Sequence, residues 1–247
     1  MSTPAAAAAP GALAGRVILV SGAHGGLGSA AAKACAGAGA TVVLLGRKVP
    51  KLTRVYDAIA GDGLPEPVIC PFDFAGAQPA DHAEVAGRVG AQLGRLDGLL
   101  HCATDFDGLT PLEHTDPAVF ARALHVGLTA RWWLAQACLP LLRQAHDAAL
   151  VFVVDDAPPS AAYRGAYGIA QQAQVALVDT LHAELASSPV RVAGLRPGPM
   201  RTALRAKAYV EDEDRRAVDA VRYAGACVEL LSPAGAAHRG RVWAPVP

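Results

Sequence analysis

The 247-residue chain carries 22 basic and 22 acidic residues, so its formal net charge is zero. A neutral chain lacks the field that draws proteins to nucleic acids or anionic membranes, so we expect neither partner. Hydrophobic residues make up 52% of the sequence, enough for a large core, and no apolar run reaches the length of a membrane span. The five cysteines lack the paired spacings of metal sites or disulfide frameworks, which indicates a reducing, cytoplasmic location and no metal.

The chain order of the predicted elements indicates one domain. Residues 1–14, rich in alanine and proline, predict a flexible leader, and residues 15–247 predict a single domain. Short runs of branched apolar residues predict strands at 16–20, 41–45, 68–72, 98–101, 149–154, 191–195 and 240–243. Amphipathic stretches predict helices at 28–38, 80–93, 118–143 and 166–186. This alternation predicts a three-layer, doubly wound α/β fold, with a parallel sheet of about seven strands and helices on both faces.

A glycine-rich turn joins the first predicted strand to the first predicted helix. It contains Ser21, Gly22, Gly26, Leu27 and Gly28. Glycines allow the backbone to approach a ligand closely, and the amino end of the helix offers unpaired N–H groups to a pyrophosphate. A close strand–helix crossing without a ligand is the alternative, but the strand–turn–helix context favours dinucleotide binding.

The end of the second strand indicates which dinucleotide is preferred. NAD-specific proteins of this architecture place a carboxylate here to hold the ribose hydroxyls, whereas this chain has Gly46, Arg47 and Lys48. A guanidinium pairs well with a 2′-phosphate, so Arg47 favours NADP(H) over NAD(H). A solvated basic loop is the alternative.

Three motifs together resemble those of the short-chain dehydrogenase/reductase family. The first turn matches TGxxxGxG with Ser21 in place of threonine, and Tyr167 stands where the YxxxK motif begins. Pro197, Gly198 and Thr202 match the PGxxxT turn. The resemblance runs from about residue 15 to the carboxyl terminus, is strongest to YciK-like members, and implies a Rossmann fold.

The family resemblance implies further cofactor contacts. Asp73, after the third strand, would contact the adenine ring, and Thr202 would help to bind the nicotinamide carboxamide. Cys102 and Ala103 occupy the family's NNAG signature near the cofactor, in which Thr104 replaces the glycine. The resemblance therefore implies a cofactor site with one altered segment.

The catalytic residues of the family are mostly replaced. Relatives use asparagine, serine, tyrosine and lysine; here His125, Asp155, Tyr167 and Gln171 stand at those positions. A neutral Gln171 cannot lower the pKa of the phenol as a lysine does, and a carboxylate at Asp155 raises that pKa by repulsion. Both changes oppose ordinary carbonyl reduction.

Several functions therefore remain open. The favoured hypothesis is an NADP(H)-binding protein with weak or no hydride transfer, acting as a sensor, scaffold or pseudoenzyme. The alternatives are an active NADPH-dependent carbonyl reductase with Tyr167 as proton donor, and new chemistry at a His125–Asp155 pair. Tyr163 competes with Tyr167 as the proton carrier, although Tyr167 alone has the helix-start context.

The resemblance also implies self-association and a variable lid. Family members usually pair the helices that correspond to 118–143 and 166–186, so we expect a homodimer or homotetramer. Trp132 and Trp133 contribute either to that interface or to helix–sheet packing. The lid segment, 203–223, contains an acidic and basic run at 211–216 that does not identify a substrate.

Overall fold

The central sheet forms from the apolar runs that the sequence predicts as strands. A computed structural model describes residues 11–155, 162–209 and 216–246. The strands are β1 (Val17–Ser21), β2 (Thr41–Gly46), β3 (Val68–Pro71), β4 (Gly98–His101), β5 (Ala148–Val153), β6 (Val190–Leu195), β7 (Met200–Arg201), β8 (Val218–Asp219) and β9 (Val242–Trp243). Seven of them form a parallel sheet in the order β3-β2-β1-β4-β5-β6-β9, and β7 pairs with β8 separately. The predicted doubly wound α/β class is confirmed.

Helices cover both faces of this sheet. They are α1 (Gly26–Gly37), α2 (Val49–Gly61), α3 (Pro79–Leu93), α4 (Pro117–Leu124), α5 (Ala130–Leu142), α6 (Gly165–Glu184) and α7 (Ala224–Leu231). Alternate residues of each strand face opposite layers. Ile18 of β1 packs with α1, α2 and α7, whereas its neighbour Leu19 packs with α3, α5 and α6. The sequence analysis did not identify α2 and α7.

The helix predicted at 118–143 is interrupted. A π-helical turn at His125–Thr129 separates α4 from α5. The carbonyl of Gly127 in this turn accepts a hydrogen bond from Gln174 of α6, and a Cβ atom at Gly127 would lie only 3.0 Å from the side chain of Ala170. The π-helical turn therefore packs closely against α6. Such turns are frequent at functional sites.

The amino-terminal boundary differs from the predicted one. Leu13 is fully buried in the core, and its N–H donates to the carbonyl of Ala38 at 2.9 Å. The predicted flexible leader over 1–14 is therefore wrong for residues 11–14, because Leu13 completes the packing beside α1. Residues 1–10 lie outside the described residues. Within the described part of the chain, no helix is long and apolar enough to cross a membrane.

An ion-pair network lies at the end of the sheet where the strands begin, opposite their carboxyl ends. Asp147, just before β5, pairs with Arg16 at 2.7 Å and with Arg191 at 2.6 Å. Arg191 also donates to the carbonyls of Leu230 and Ser232 around the end of α7. One carboxylate thus connects the starts of β1, β5 and β6 with α7.

We predict that Asp147→Asn lowers the free energy of unfolding by about 2 kcal/mol, because two largely buried guanidinium groups lose their counter-charge. Urea denaturation measures this change. Glu84→Gln is the matched control, since Glu84 and its partner Arg88 are exposed. The control should change stability by less than about 0.5 kcal/mol. An equal effect of the two substitutions would contradict a special role for Asp147.

The stability difference between wild type and Asp147→Asn should depend on pH in a defined direction. Burial alone would raise the pKa of Asp147, but its bonds to Arg191 and Arg16 lower it below the usual value. Stabilisation by a carboxylate with a lowered pKa is complete above the unfolded-state pKa, about 3.9, and is lost as pH falls through the folded-state pKa. The stability difference between wild type and Asp147→Asn should therefore shrink below about pH 4. A difference that grows on acidification would exclude this network as its cause.

Candidate active site

A cleft of about 410 Å³ lies beyond the carboxyl ends of the strands. Its position follows from the topology, because the connections diverge on either side of β1 and leave a crevice there. Most of the sequence-predicted site residues line it: Gly22, Gly26, Leu27, Gly28, Arg47, Asp73, Cys102, Ala103, Asp155, Tyr167, Gln171, Pro197, Gly198 and Thr202. Ser21 is fully buried behind the loop, and its Oγ accepts the N–H of Ala103 at 3.3 Å.

The three glycines of the phosphate loop are required by close contacts. A Cβ atom at Gly22, whose φ is +69°, would lie 2.7 Å from the backbone nitrogen of Ala103. A Cβ atom at Gly26 would lie 2.6 Å from the methyl group of Thr202, and one at Gly28 would collide with the carbonyl oxygen of Gly22. Helix α1 starts here without a side-chain cap, so its amino end is left to an anion.

Asp73 and Thr202, two of the predicted cofactor contacts, each accept one hydrogen bond from the protein backbone. One carboxylate oxygen of Asp73 accepts the N–H of Ala75 at 3.1 Å. The hydroxyl oxygen of Thr202 accepts the N–H of Arg205 at 3.2 Å. Both side chains are thereby oriented while they line the cleft.

Cations concentrate at the end of the cleft beside β2. Arg47, Lys48 and Lys51 line it there, together with the imidazole of His24. Burial lowers the pKa of His24, and the charges of Lys51, Arg47 and Lys48 lower it further. Like charges held this close raise the affinity of the site for an anion. The sequence analysis identified Arg47 but missed Lys51, which lies in the first turn of α2.

At the other end of the cleft, Tyr167 is bonded to Asp155. The phenol donates to the Asp155 carboxylate at 2.7 Å, and the same oxygen accepts from Arg164 at 2.8 Å. Burial raises the pKa of Tyr167 well above its usual value, and the charge and hydrogen bond of Asp155 raise it further. Arg131 and Arg164 act in the opposite direction but do not compensate. Tyr167 is therefore a neutral phenol, and its hydroxyl hydrogen is already engaged in the hydrogen bond to Asp155.

Gln171, four residues after Tyr167, is a structural link. Its side-chain oxygen accepts the N–H of Asp155 at 3.0 Å, and its side-chain nitrogen donates to the hydroxyl of Thr104 at 3.4 Å. The amide is buried and supplies no charge. Gln171 thus joins the segments that follow β4 and β5.

The predicted His125–Asp155 pair does not form. The ring of His125 packs edge-on against Trp133, with centroids 5.2 Å apart, and His125 is not part of the cleft lining. The π-helical turn directs it away, and Val126 faces the cleft instead. The interpretation of His125 as a catalytic group is therefore wrong. Tyr163 lines a smaller neighbouring cavity and is largely exposed, whereas Tyr167 lines the cleft.

Two arginines of the site were missed by the sequence analysis. Arg164 precedes α6 and pairs with Asp155, while Arg131 of α5 is 1% exposed and lines the cleft. A charged residue between buried positions of a helix, such as Arg131 between Ala130 and Leu134, was the available signal.

The thiol in the cleft is not an activated nucleophile. Burial raises the pKa of Cys102 to about 12, although the charge of Arg131 opposes this. Among the described residues there is no group of three histidine, cysteine or acidic side chains placed to hold a metal ion.

Comparison with known proteins agrees with this geometry. The family model for short chain dehydrogenases matches residues 16–213. The uncharacterized oxidoreductase YciK of Escherichia coli K12 is 33% identical over 202 residues, which cover 81% of this chain and 80% of that protein. A structure described as a short chain dehydrogenase from Pseudomonas syringae has a TM-score of 0.91 and 38% identity, covering 96% of this chain and 97% of its own.

A second structure carries a nucleotide. It is a protein described as a short chain dehydrogenase from Shigella flexneri 2a, complexed with NADP. Its TM-score is 0.90 at 29% identity, over 96% of this chain and 99% of its own. With the sheet order, the glycine loop and Tyr167 in the cleft, these matches establish that the chain belongs to the short-chain dehydrogenase family and is YciK-like.

Proposed function

We propose that this protein binds NADP(H) in the cleft and transfers hydride weakly or not at all, acting as a sensor, scaffold or pseudoenzyme. The observation that carries the proposal is the bond from Tyr167 to Asp155, beside an intact dinucleotide cradle. The fold and family are those of oxidoreductases, but the acid on which their chemistry depends is engaged elsewhere.

The cradle supports binding of the phosphates. Gly22, Gly26 and Gly28 leave room that any side chain would fill, and the uncapped amino end of α1 suits a pyrophosphate. Arg47 and Lys51 provide the charge that a 2′-phosphate needs, and a structural neighbour is complexed with NADP. When bound, NADPH supplies a hydride from its nicotinamide ring.

The tyrosine end supports low activity. A general acid must give its proton to the substrate in the transition state, and Tyr167 first has to leave the acceptor Asp155. Arg164 keeps that carboxylate paired, so it remains a strong acceptor. The neutral Gln171 adds no cation at the position where relatives have lysine.

An active NADPH-dependent carbonyl reductase with Tyr167 as proton donor is the second candidate. The cleft continues past Tyr167 to Phe106, whose ring packs on the phenol with centroids 4.8 Å apart. A phenol with a raised pKa can still give a proton to an alkoxide, whereas it cannot act as a base towards an alcohol. Any turnover should therefore run as reduction.

Self-association through α5 and α6 is part of the proposal. Trp132 of α5 and Ile169 of α6 are 41% and 47% exposed, whereas Trp133 packs inward against His82. Exposed large apolar side chains on neighbouring helices suit an interface between identical subunits, a homodimer or homotetramer. All five cysteines are free thiols, in keeping with a cytoplasmic location.

We predict that NADPH binds more tightly than NADH, with Kd values measured by titration calorimetry. Arg47→Ala or Lys51→Ala should each weaken NADPH about tenfold, since each removes a charge-assisted contact with the 2′-phosphate, and should leave NADH nearly unchanged. Arg54→Ala is the matched control, because Arg54 is an exposed cation of α2 outside the cleft lining. Failure of both nucleotides to bind would exclude the proposal.

We predict that Asp155→Ser increases NADPH-dependent reduction of a panel of aldehydes and ketones by at least about tenfold, because it frees Tyr167 and lowers its pKa. Adding Gln171→Lys should raise the rate further, and adding Tyr167→Phe should abolish the gain. Asp105→Asn, which alters another arginine-paired carboxylate of the cleft, should give no gain. Substantial reduction by the wild-type protein would instead support the carbonyl reductase.

A further inference from the structure

A fully buried arginine lies beneath the catalytic end of the cleft. Its Nε donates to the carbonyl of Ala103 at 2.6 Å, and its Nη1 donates to the carbonyl of Val153 at 3.0 Å and to the side-chain oxygen of Gln174. The residue is Arg131 of α5, and these bonds join the ends of β4 and β5 to α6. Nη2 has no hydrogen-bond partner among the described residues, although Arg131 lines the cleft.

The hydrogen bonds of Arg131 do not neutralise its positive charge. No carboxylate of the described residues pairs with Arg131, so the cation is buried against neutral acceptors. Burial lowers the pKa of Arg131 to about 10, with Cys102 and Tyr167 opposing the shift, so the group is still charged at neutral pH. An unpaired buried cation is costly, and such groups concentrate at functional sites.

The surroundings of Arg131 place its charge where the dinucleotide meets the phenol. Ala103, which it holds by the carbonyl, lies directly against the phosphate-loop residue Gly22. Val153, its other backbone acceptor, stands two residues before Asp155. The attraction between Arg131 and Tyr167 affects the pKa of both groups.

We propose that Arg131 replaces the missing lysine, as the buried cation that binds the ribose next to the nicotinamide and attracts the phenol oxygen of Tyr167. The proposed contact with the ribose rests on the NADP(H) binding proposed above. The proposed attraction of the Tyr167 oxygen does not need a cofactor. Nη2, which has no partner among the described residues, would hold the ribose hydroxyls of a bound nucleotide. The charge lost at Gln171 is thus supplied from α5.

Gln174 acts as the positioning residue for this cation. It is fully buried, its oxygen accepts from Arg131, and its nitrogen donates to the carbonyl of Gly127 in the π-helical turn. The two bonds orient the amide so that its oxygen faces the guanidinium. A glutamate has nearly the same shape and would neutralise Arg131 without displacing it, although it loses the bond to the carbonyl of Gly127. Gln174→Glu therefore tests the charge of Arg131, and thermal unfolding measures the cost of the lost bond.

The first experiment measures nucleotide affinity by calorimetry. Arg131→Gln and Gln174→Glu should each weaken both NADPH and NADH about tenfold, because the nicotinamide ribose is common to both. Arg131→Lys keeps the charge but not the forked bonds, so it should retain more affinity than Arg131→Gln, and Gln171→Lys should restore binding to Arg131→Gln. Arg47→Ala is the matched control that affects NADPH alone. Thermal unfolding of each variant identifies any that fails to fold.

The second experiment needs no nucleotide. In an Asp155→Asn background, the phenolate absorbance of Tyr167 is titrated as the difference from the same protein with Tyr167→Phe. Adding Arg131→Gln or Gln174→Glu should move this ionisation to higher pH, and Arg131→Lys should not. If wild type binds no nucleotide, the NADP(H) proposal fails but this titration still tests the cation.

Defined results would overturn the assignment. A folded Arg131→Gln that binds both nucleotides like wild type, or that Gln171→Lys cannot rescue, would show that Arg131 is only a structural link. If Arg131→Gln does not fold, Gln174→Glu decides, since it leaves every bond to Arg131 in place. An unchanged Tyr167 titration in that variant would contradict the proposed attraction.

Discussion

The contact between the phosphate loop and the end of β4 positions the other parts of the cleft. Ala103 is held at its N–H by Ser21 and at its carbonyl by Arg131, while Gly22 lies against its backbone. A side chain at Gly22 would separate the two segments and displace the guanidinium from the end of β5. The glycine that admits a pyrophosphate is thus also the glycine that allows the catalytic end to assemble.

Charge is distributed unevenly along the cleft. Near β2, His24 and three neighbouring cations lie together, which suits a ligand with phosphate at that end. Near β5, Asp155 is balanced by Arg164 from one side, while Arg131 lies deeper. The net effect on Tyr167 is still a raised pKa, because burial and the adjacent carboxylate outweigh two more weakly acting cations. Strong binding with weak proton transfer is the expected consequence.

Local sequence patterns predicted the sheet and the phosphate loop because both depend on neighbours in the chain. Alternating apolar runs and the spacing from Gly22 to Gly28 carry that information. The partners of Arg131 lie 28, 22 and 43 residues away, so no local pattern indicates them. His125 was misassigned for a related reason: the π-helical turn changes which side of the helix faces the cleft.

Hydrogen bonds join the side chains at the tyrosine end of the cleft. Gln171 bonds both to the hydroxyl of Thr104 and to the backbone N–H of Asp155. A second glutamine, Gln174, holds the buried cation Arg131 in the same region. These bonds fix the ends of β4 and β5 relative to α6, as the proposed binding of a dinucleotide in a fixed place requires.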